Sequence, residues 1–257
     1  MPSVLCRALG AYWERDPHPA LAAHFARTWF HVRPTVVVAG SVDVVPDGYA
    51  DIQWINGVLR IAGPDRTVNA EELSAGTIIV GLRFQPGALG RWLGTKAPEL
   101  VNGRVALEAF WGAEARRLAA FVSEGRSPEA IAQRVEGALV ARVSRVKAPD
   151  PAASAIFRAI RADPCDPIEV TRHLCESLGM SARTVRRRAL EAFGYGPKTL
   201  QRILRFQRFL RAARAMPPTK SLAELAMVAG YADQAHLSRE ARQLTGMTPA
   251  TVVAHLP

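Results

Sequence analysis

The sequence predicts an α+β protein in two parts. A small β-rich domain followed by helices comes first. An all-α domain of two helix-turn-helix units joined by a long helix comes second. Three observations carry this prediction. Up to about residue 86, short runs rich in Val, Ile and aromatics alternate with turn residues. Beyond Pro86 the apolar residues recur with helical period. In the C-terminal part, one pattern of glycine, cap and core positions occurs twice.

The β-like runs are "TVVVAGSVDVV", "ADIQWI", "VLRIAG" and "GTIIVGLRF". Turn chemistry at Pro46-Asp47-Gly48, Asn56-Gly57 and Gly63-Pro64-Asp65 separates them. Asn56-Gly57 between two apolar runs predicts a tight hairpin. The helical stretch, 87–146, reads "GALGRWLG", "AEARRLAAFVSEG" and "SPEAIAQRVEGALVARV". Ser127 opens the last of these as N-cap, with Pro128 at the first helical position. "KAPDPAA", 147–153, reads as a linker. The first domain is therefore set at 1–148 and the second at 155–257.

The second domain contains the repeat. "LCESLGMSARTVRRRALEAFGYGP" begins at Leu174, and "LAMVAGYADQAHLSREARQLTGMTP" begins at Leu225. Gly179 and Gly230 correspond at an offset of 51. Ser181 and Asp233, Val185 and Leu237, Arg187 and Arg239, Gly194 and Gly246, and Pro197 and Pro249 correspond at 52. One extra residue near Ala232 explains the shift. Ser181 and Asp233 suit the free amides of a helix start, and Gly194 and Gly246 suit a left-handed helix end. Ser221 to Glu224 forms a capping box before the second unit, and Asp166 to Glu169 does the same before the first. "KTLQRILRFQRFLRAARAM" joins the units and stops at Pro217-Pro218.

Charge points to a partner. The net charge is +10 with a sequence pI near 10.3. Only Lys96, Lys147, Lys198 and Lys220 are lysines; the other cations are arginines. Ten cations and one anion, Glu191, lie between Arg183 and Arg214. Arginine pairs in bidentate fashion with phosphate and guanine, so double-stranded DNA is the expected partner.

Helical periodicity then sorts the two reading helices. In 182–193, Val185, Ala189 and Ala192/Phe193 face the core, while Arg183, Arg186 and Arg187 lie opposite. In 234–245, Leu237, Ala241 and Leu244 face the core, while Ala235, Arg239 and Arg242 oppose it. The expected base readers are Arg183, Arg186, Arg187, Gln234, Ala235, Ser238 and Arg239. The expected phosphate contacts are Ser181, Lys198, Arg202, Arg205 and Arg242. Five arginines at 202, 205, 208, 211 and 214 lag one another by roughly 60° on a helix, so they cannot all face one groove.

The segment from about 155 to 257 resembles the DNA-binding domain of AraC/XylS-family transcription regulators. The resemblance is carried by "GYADQAHLSREARQLTGMTPATV" and, in degenerate form, by "SARTVRRRALEAFGYGPKTLQRILRFQR". It implies seven helices whose two reading helices enter successive major-groove segments. The family usually has an aromatic where this chain has Ala241, and often where it has Ala189. In the first half, "VVPDGYADIQW", "IAGPDR", "VGLRFQPGALGRWLG" and "LEAFWGAEARRL" are similar to an uncharacterised domain found ahead of such readers. Its members tend to have cysteine at the position of Tyr49. The resemblance implies sensing or dimerisation.

The remaining constellations say less. His18, His24 and His31 lack metal spacing, and Asp43, Asp47 and Asp51 fit turn chemistry. Trp29, Asp51, Trp54 and Arg83 are the residues that would line an effector pocket, against the plainer reading of core aromatics with a structural arginine. No nucleophile–base spacing is present, so no enzyme, cofactor or metal site is expected. Cys6, Cys165 and Cys175 are scattered, which fits a reducing cytoplasm and speaks against a zinc-thiolate repair alkyltransferase built on a similar reader. No apolar run approaches a membrane span. An effector-independent architectural DNA binder remains a third reading, and RNA polymerase, a small effector and a second copy of the chain remain open as further partners.

Overall fold

The computed structural model describes residues 4–5, 10–36, 40–162, 170–217 and 220–256. Cys6, Cys165, the Asp166–Glu169 capping box and Pro218 lie outside the described residues.

The N-terminal domain holds nine short strands among the described residues: β1 (Val4–Leu5), β2 (Ala11–Arg15), β3 (Phe25–Val32), β4 (Gly40–Val44), β5 (Asp51–Ile55), β6 (Val58–Ala62), β7 (Asn69–Leu73), β8 (Ile78–Phe84) and β9 (Arg104–Ala106). They form an antiparallel six-stranded sheet in the order β2-β3-β8-β5-β6-β9 and a three-stranded sheet in the order β1-β4-β7. Asn56 (φ 43°) and Gly57 (φ 97°) turn β5 into β6, with the two positive φ values that a tight hairpin of this twist requires. The stretch 87–146 is not wholly helical. β9 adds three residues to the edge of β6, too short a run to show a period in the sequence.

Alternation along the strands gives the large sheet two different faces. Phe30, Ile52, Trp54, Ile61, Val80 and Leu82 point to one side. There they pack on α1 (Leu89–Leu93), α2 (Glu108–Trp111), α3 (Ala113–Ser123) and α4 (Pro128–Val143). Ser127 caps α4 by accepting from the Ala130 amide at 3.2 Å. Buried Glu136 clips α4 to the sheet: it takes two bonds from Arg15, at 3.0 and 2.9 Å, and one from the Thr28 hydroxyl at 2.6 Å. On the other side, Trp29 and Ile79 meet Val42 of β4 and Leu73 of β7 in a smaller apolar cluster.

Among the described residues, the C-terminal domain has seven helices: α5 (Pro151–Ala162), α6 (Val170–Leu178), α7 (Ala182–Phe193), α8 (Pro197–Ala215), α9 (Leu222–Ala229), α10 (Gln234–Thr245) and α11 (Pro249–Ala254). α6–α7 and α9–α10 are the two helix-turn-helix units, and α8 joins them. Gly194 (φ 79°) and Gly246 (φ 72°) end the two reading helices in the left-handed conformation. Ala189 and Ala241 are fully buried and share one core with Phe193, Phe206 and Phe209. Aromatic volume in that core thus comes from Phe157 of α5, Phe193 at the end of α7 and Phe206 and Phe209 of α8, rather than from the two alanine positions.

The two domains touch. The Val68 amide donates to the Leu244 carbonyl at 2.7 Å, and Lys96 lies 3.6 Å from Glu191. The segment at 147–153 is held in place at Asp150. Its amide donates to the Gly87 carbonyl at 3.2 Å, and its carboxylate accepts from the Ala152 amide at 3.0 Å and from Arg188 at 2.7 Å.

Candidate DNA-reading surface

Each reading helix is built in the same way. Ser181 accepts from the Thr184 amide at 3.2 Å, and Asp233 accepts from the His236 amide at 2.6 Å, so both helix starts are capped by side chains. The core faces are Val185, Ala189 and Phe193 in α7, and Leu237, Ala241 and Leu244 in α10. Arg183, Arg186 and Arg187 are exposed on α7, as are Gln234, Ala235, Arg239 and Arg242 on α10. Ser238 is half-buried. Arg187 is 3.3 Å from Glu191, one turn on. Lys198 is exposed in the first turn of α8.

The remaining phosphate candidates are placed otherwise. The exposed Ser181 hydroxyl accepts from the Thr184 amide and lies 2.9 Å from the Thr184 hydroxyl. Arg205 is 1% exposed and donates to Glu240 at 2.7 Å, so as it stands it cannot reach a phosphate. Its position on α8 explains this: the 60° lag between successive arginines turns Arg205 inward against α10, while Arg208 and Arg211 turn out. Arg202 is part-exposed and donates to Glu240 at 3.1 Å and to the Gln243 carboxamide. Sequence reasoning missed Glu240 as the hub of this group, because its partners lie 35 and 38 residues away. Its i, i+3 spacing from Leu237 on the buried side was the available signal. His236 belongs to the same group. Its ring meets Tyr231 edge-on at 5.2 Å, and its Nε2 lies 3.6 Å from Glu240. Burial raises the pKa of the Tyr231 hydroxyl, with the Glu240 charge adding to the effect.

The four pocket candidates do not stay together. Arg83 on β8 lies 2.9 Å from Asp47 and 3.4 Å from Asp51, and Trp29 covers Gly81 on the same face. Trp54 points the other way, into the helix-side core. It is three residues beyond Asp51, and residues an odd number apart on a strand face opposite sides. Tyr12 and Tyr49 join the cluster instead, the latter with its ring 5.0 Å from the Arg83 guanidinium. Burial raises the pKa of Asp51, and of the Tyr12 and Tyr49 hydroxyls. Burial also works against the Arg83 charge, but Asp47 and Asp51 more than offset it, and its pKa rises. Asp47 also does what turn chemistry predicts: it accepts from the Tyr49 amide at 3.0 Å.

An open cleft of about 350 Å³ lies between the domains, with Arg66, Thr67 and Asn102 on one side and Thr199, Arg202 and Gln243 on the other. Among the described residues, no group of three or more His, Cys, Asp or Glu could hold a metal ion. Also among them, no helix is long and apolar enough to cross a membrane.

Two capped helices, each presenting arginine and small polar residues opposite an apolar face and linked by one rigid helix, define a double helix-turn-helix reader of DNA. Comparison with known families agrees. Residues 174–255 match the helix-turn-helix domain model, and residues 14–106 match a domain of unknown function, DUF6597. The chain thus carries a C-terminal helix-turn-helix domain of the AraC type behind an N-terminal domain of unknown function, the architecture of a DNA-binding transcription regulator. Among curated proteins no match is found. Among solved structures, an apo variant of ToxT from Vibrio cholerae strain SCE256 is 12% identical, with a TM-score of 0.48 over 95% of this chain and 100% of that chain. ToxT from Vibrio cholerae O395 is 12% identical, with a TM-score of 0.48 over 89% and 97%. An unsaturated-fatty-acid-bound wild-type ToxT from strain SCE256 is 11% identical, with a TM-score of 0.46 over 98% and 95%.

Proposed function

We propose that this protein reads a specific double-stranded DNA sequence with both helix-turn-helix units and regulates transcription there, under control of its N-terminal domain. The observation that carries the reading is the repeat itself. Two capped helices, each with an exposed arginine-bearing face, are fixed to one joining helix. Base contacts fall to Arg183, Arg186 and Arg187 on α7, and to Gln234, Ala235, Ser238 and Arg239 on α10. Lys198 and Arg242, both exposed, take phosphates. Arginine suits guanine O6 and N7, glutamine suits adenine, and alanine suits a thymine methyl.

A small effector is the second part of the proposal. The interdomain cleft falls within the 300–1,000 Å³ range of small-molecule sites. It touches both domains, so its occupant would be sensed by the reader directly. Dimerisation and contact with RNA polymerase are consistent with a regulator of this class.

Selection of bound sequences from random duplex DNA, with and without a metabolite extract, tests both parts. Two conserved blocks about 10–10.5 bp apart are expected, since two helices on one side of the duplex meet the major groove one turn apart. A single block, or no enrichment, would sink the two-unit reading. Enrichment that the extract leaves unchanged would remove the effector.

A further inference from the structure

One loop of the N-terminal domain reaches into the reader. Between β4 and β5, residues 45–50 read Val-Pro-Asp-Gly-Tyr-Ala. Val45 is 1% exposed, and it belongs to the apolar core of the C-terminal domain rather than to that of its own. The Pro46 carbonyl accepts from the Gln207 carboxamide of α8 at 2.7 Å. Gly48 has φ 85°, and a Cβ there would lie 3.0 Å from Leu200 and 3.2 Å from Phe157, so conformation and space both select glycine. The Tyr49 ring packs 4.9 Å from Phe157 of α5.

The other side of the same loop grips the sheet. Asp47 pairs with Arg83 at 2.9 Å, and Tyr49 lies over the Arg83 guanidinium. Arg83 is held in turn by Asp51 of β5. Within six residues, the chain therefore links an ion-pair cluster on the sheet to α5 and α8. α8 packs against both reading units and holds α10 through Arg202 and Arg205.

We propose that the 45–50 loop is the coupling element between the two domains, with Asp47 and Tyr49 as positioning residues for DNA reading. They touch no base. They fix α5 and α8, and α8 sets the separation of the two reading helices. The inference rests on the reading of the chain as a two-unit DNA regulator. A change at the Arg83 cluster moves the loop, the loop moves α8, and a shift of α8 spoils the fit to two successive groove segments. Specific binding then falls further than non-specific binding, because phosphate contacts tolerate displacement that base contacts do not. The route is a contiguous run of contacts, from Arg83 through Asp47 and Tyr49 to α5 and through Pro46 to α8.

The test uses the full-length chain and three variants. Asp47→Asn weakens the grip on Arg83 and leaves the Val45 and Tyr49 side chains that pack on the reader unchanged. Tyr49→Leu keeps that ion pair but removes the ring against Phe157. Glu71→Gln is the control: it disturbs Arg60 and Arg104 elsewhere on the sheet. Hydrogen exchange of α8 is followed alongside binding to matched and scrambled duplexes, below each variant's melting temperature. In Asp47→Asn, α8 amides are expected to exchange about fivefold faster or more, with a several-fold drop in the matched-to-scrambled affinity ratio. Glu71→Gln is expected to leave both near wild type. Unchanged α8 exchange in Asp47→Asn and Tyr49→Leu, or an equal change in Glu71→Gln, overturns the coupling. Should Asp47→Asn not fold, Tyr49→Leu decides alone. If the wild-type chain prefers no duplex, the regulator reading fails, while the exchange measurement still decides the coupling.

Discussion

The two helix-turn-helix units share a pattern but not an anchor. At the 52-residue offset of the repeat, Arg188 of α7 corresponds to Glu240 of α10. Both carry an ion pair, of opposite sense. Arg188 donates to Asp150 at 2.7 Å, and Asp150 is bonded through its amide to Gly87 of the N-terminal domain. Glu240 instead accepts from Arg202 and Arg205 of α8. The end of α7 also presses on the N-terminal domain, where a Cβ at Gly194 would lie 2.2 Å from the Val101 side chain. One register position thus ties the first reading helix toward the N-terminal domain and ties the second into the reader. The first unit meets the N-terminal domain through side chains; the second meets it at the Val68–Leu244 backbone hydrogen bond, while its buried ion pair is made within its own domain.

Removing the anchor of the second unit should produce the largest effect. Arg205 is 1% exposed, and Glu240→Ala would leave its guanidinium buried without an anion. Breaking a buried pair from one side costs about 3–5 kcal/mol. Arg188→Ala breaks a pair whose arginine side chain is 36% exposed, where solvent screening leaves about 1 kcal/mol or less. Urea melts of the two variants measure the contrast. Losses of equal size would show that the two anchors are not different in kind.

The next effect comes from cutting the chain near Asp150. The fragment keeps all seven helices but loses Val45 and Tyr49 from its core. Burying a valine side chain contributes about 1.5–3 kcal/mol, so the isolated reader should melt well below the same helices in the full chain. Amide exchange should rise more in α7 than in α10, because α7 loses its packing on Val101 and the Lys96–Glu191 contact, whereas α10 loses the hydrogen bond from the Val68 amide to the Leu244 carbonyl. A fragment with native stability and evenly distributed protection would place both units on the same footing.

What could be read from sequence follows from distance along the chain. The caps at Ser127, Ser181, Ser221 and Asp233, the left-handed glycines and the Asn56-Gly57 hairpin depend on neighbours within about four residues, and the structure has all of them. β4, β5, β6 and β8 fall within runs of β-branched residues. β2, β3 and β7, with sequences AYWER, FARTWFHV and NAEEL, do not show such a run and were not legible. The Glu240 hub joins residues 35 and 38 positions apart, and Val45 packs in a core more than a hundred residues downstream. No local period records such pairings. The four-residue pocket failed at Trp54 for a simpler reason: strand alternation puts it on the opposite face from Asp51.

The smallest effects, and the sharpest comparison, concern matched arginines on the two reading faces. Arg239 is exposed and forms no ion pair among the described residues, whereas Arg187 is exposed but 3.3 Å from Glu191. If each reads a guanine, its loss should cost about 1–3 kcal/mol on the preferred site and much less on scrambled DNA. Arg187 must first leave Glu191, an i,i+4 contact that contributes about 0.3–0.5 kcal/mol, so its alanine variant should lose slightly less than Arg239→Ala. Lys198→Ala serves as the phosphate control: it should weaken every sequence alike and lower the salt slope by about one. Arg202→Ala separates the two roles of α8. Held by Glu240 and Gln243, it should lower the melting temperature while leaving the salt slope unchanged. The measurement is binding of the four variants to matched and scrambled duplexes at several salt concentrations, with thermal melts alongside. Equal losses on both duplexes for Arg187→Ala and Arg239→Ala would remove both from base reading. A salt slope that falls in Arg202→Ala as it does in Lys198→Ala would return Arg202 to the phosphates and leave Arg205 alone as the anchor of Glu240.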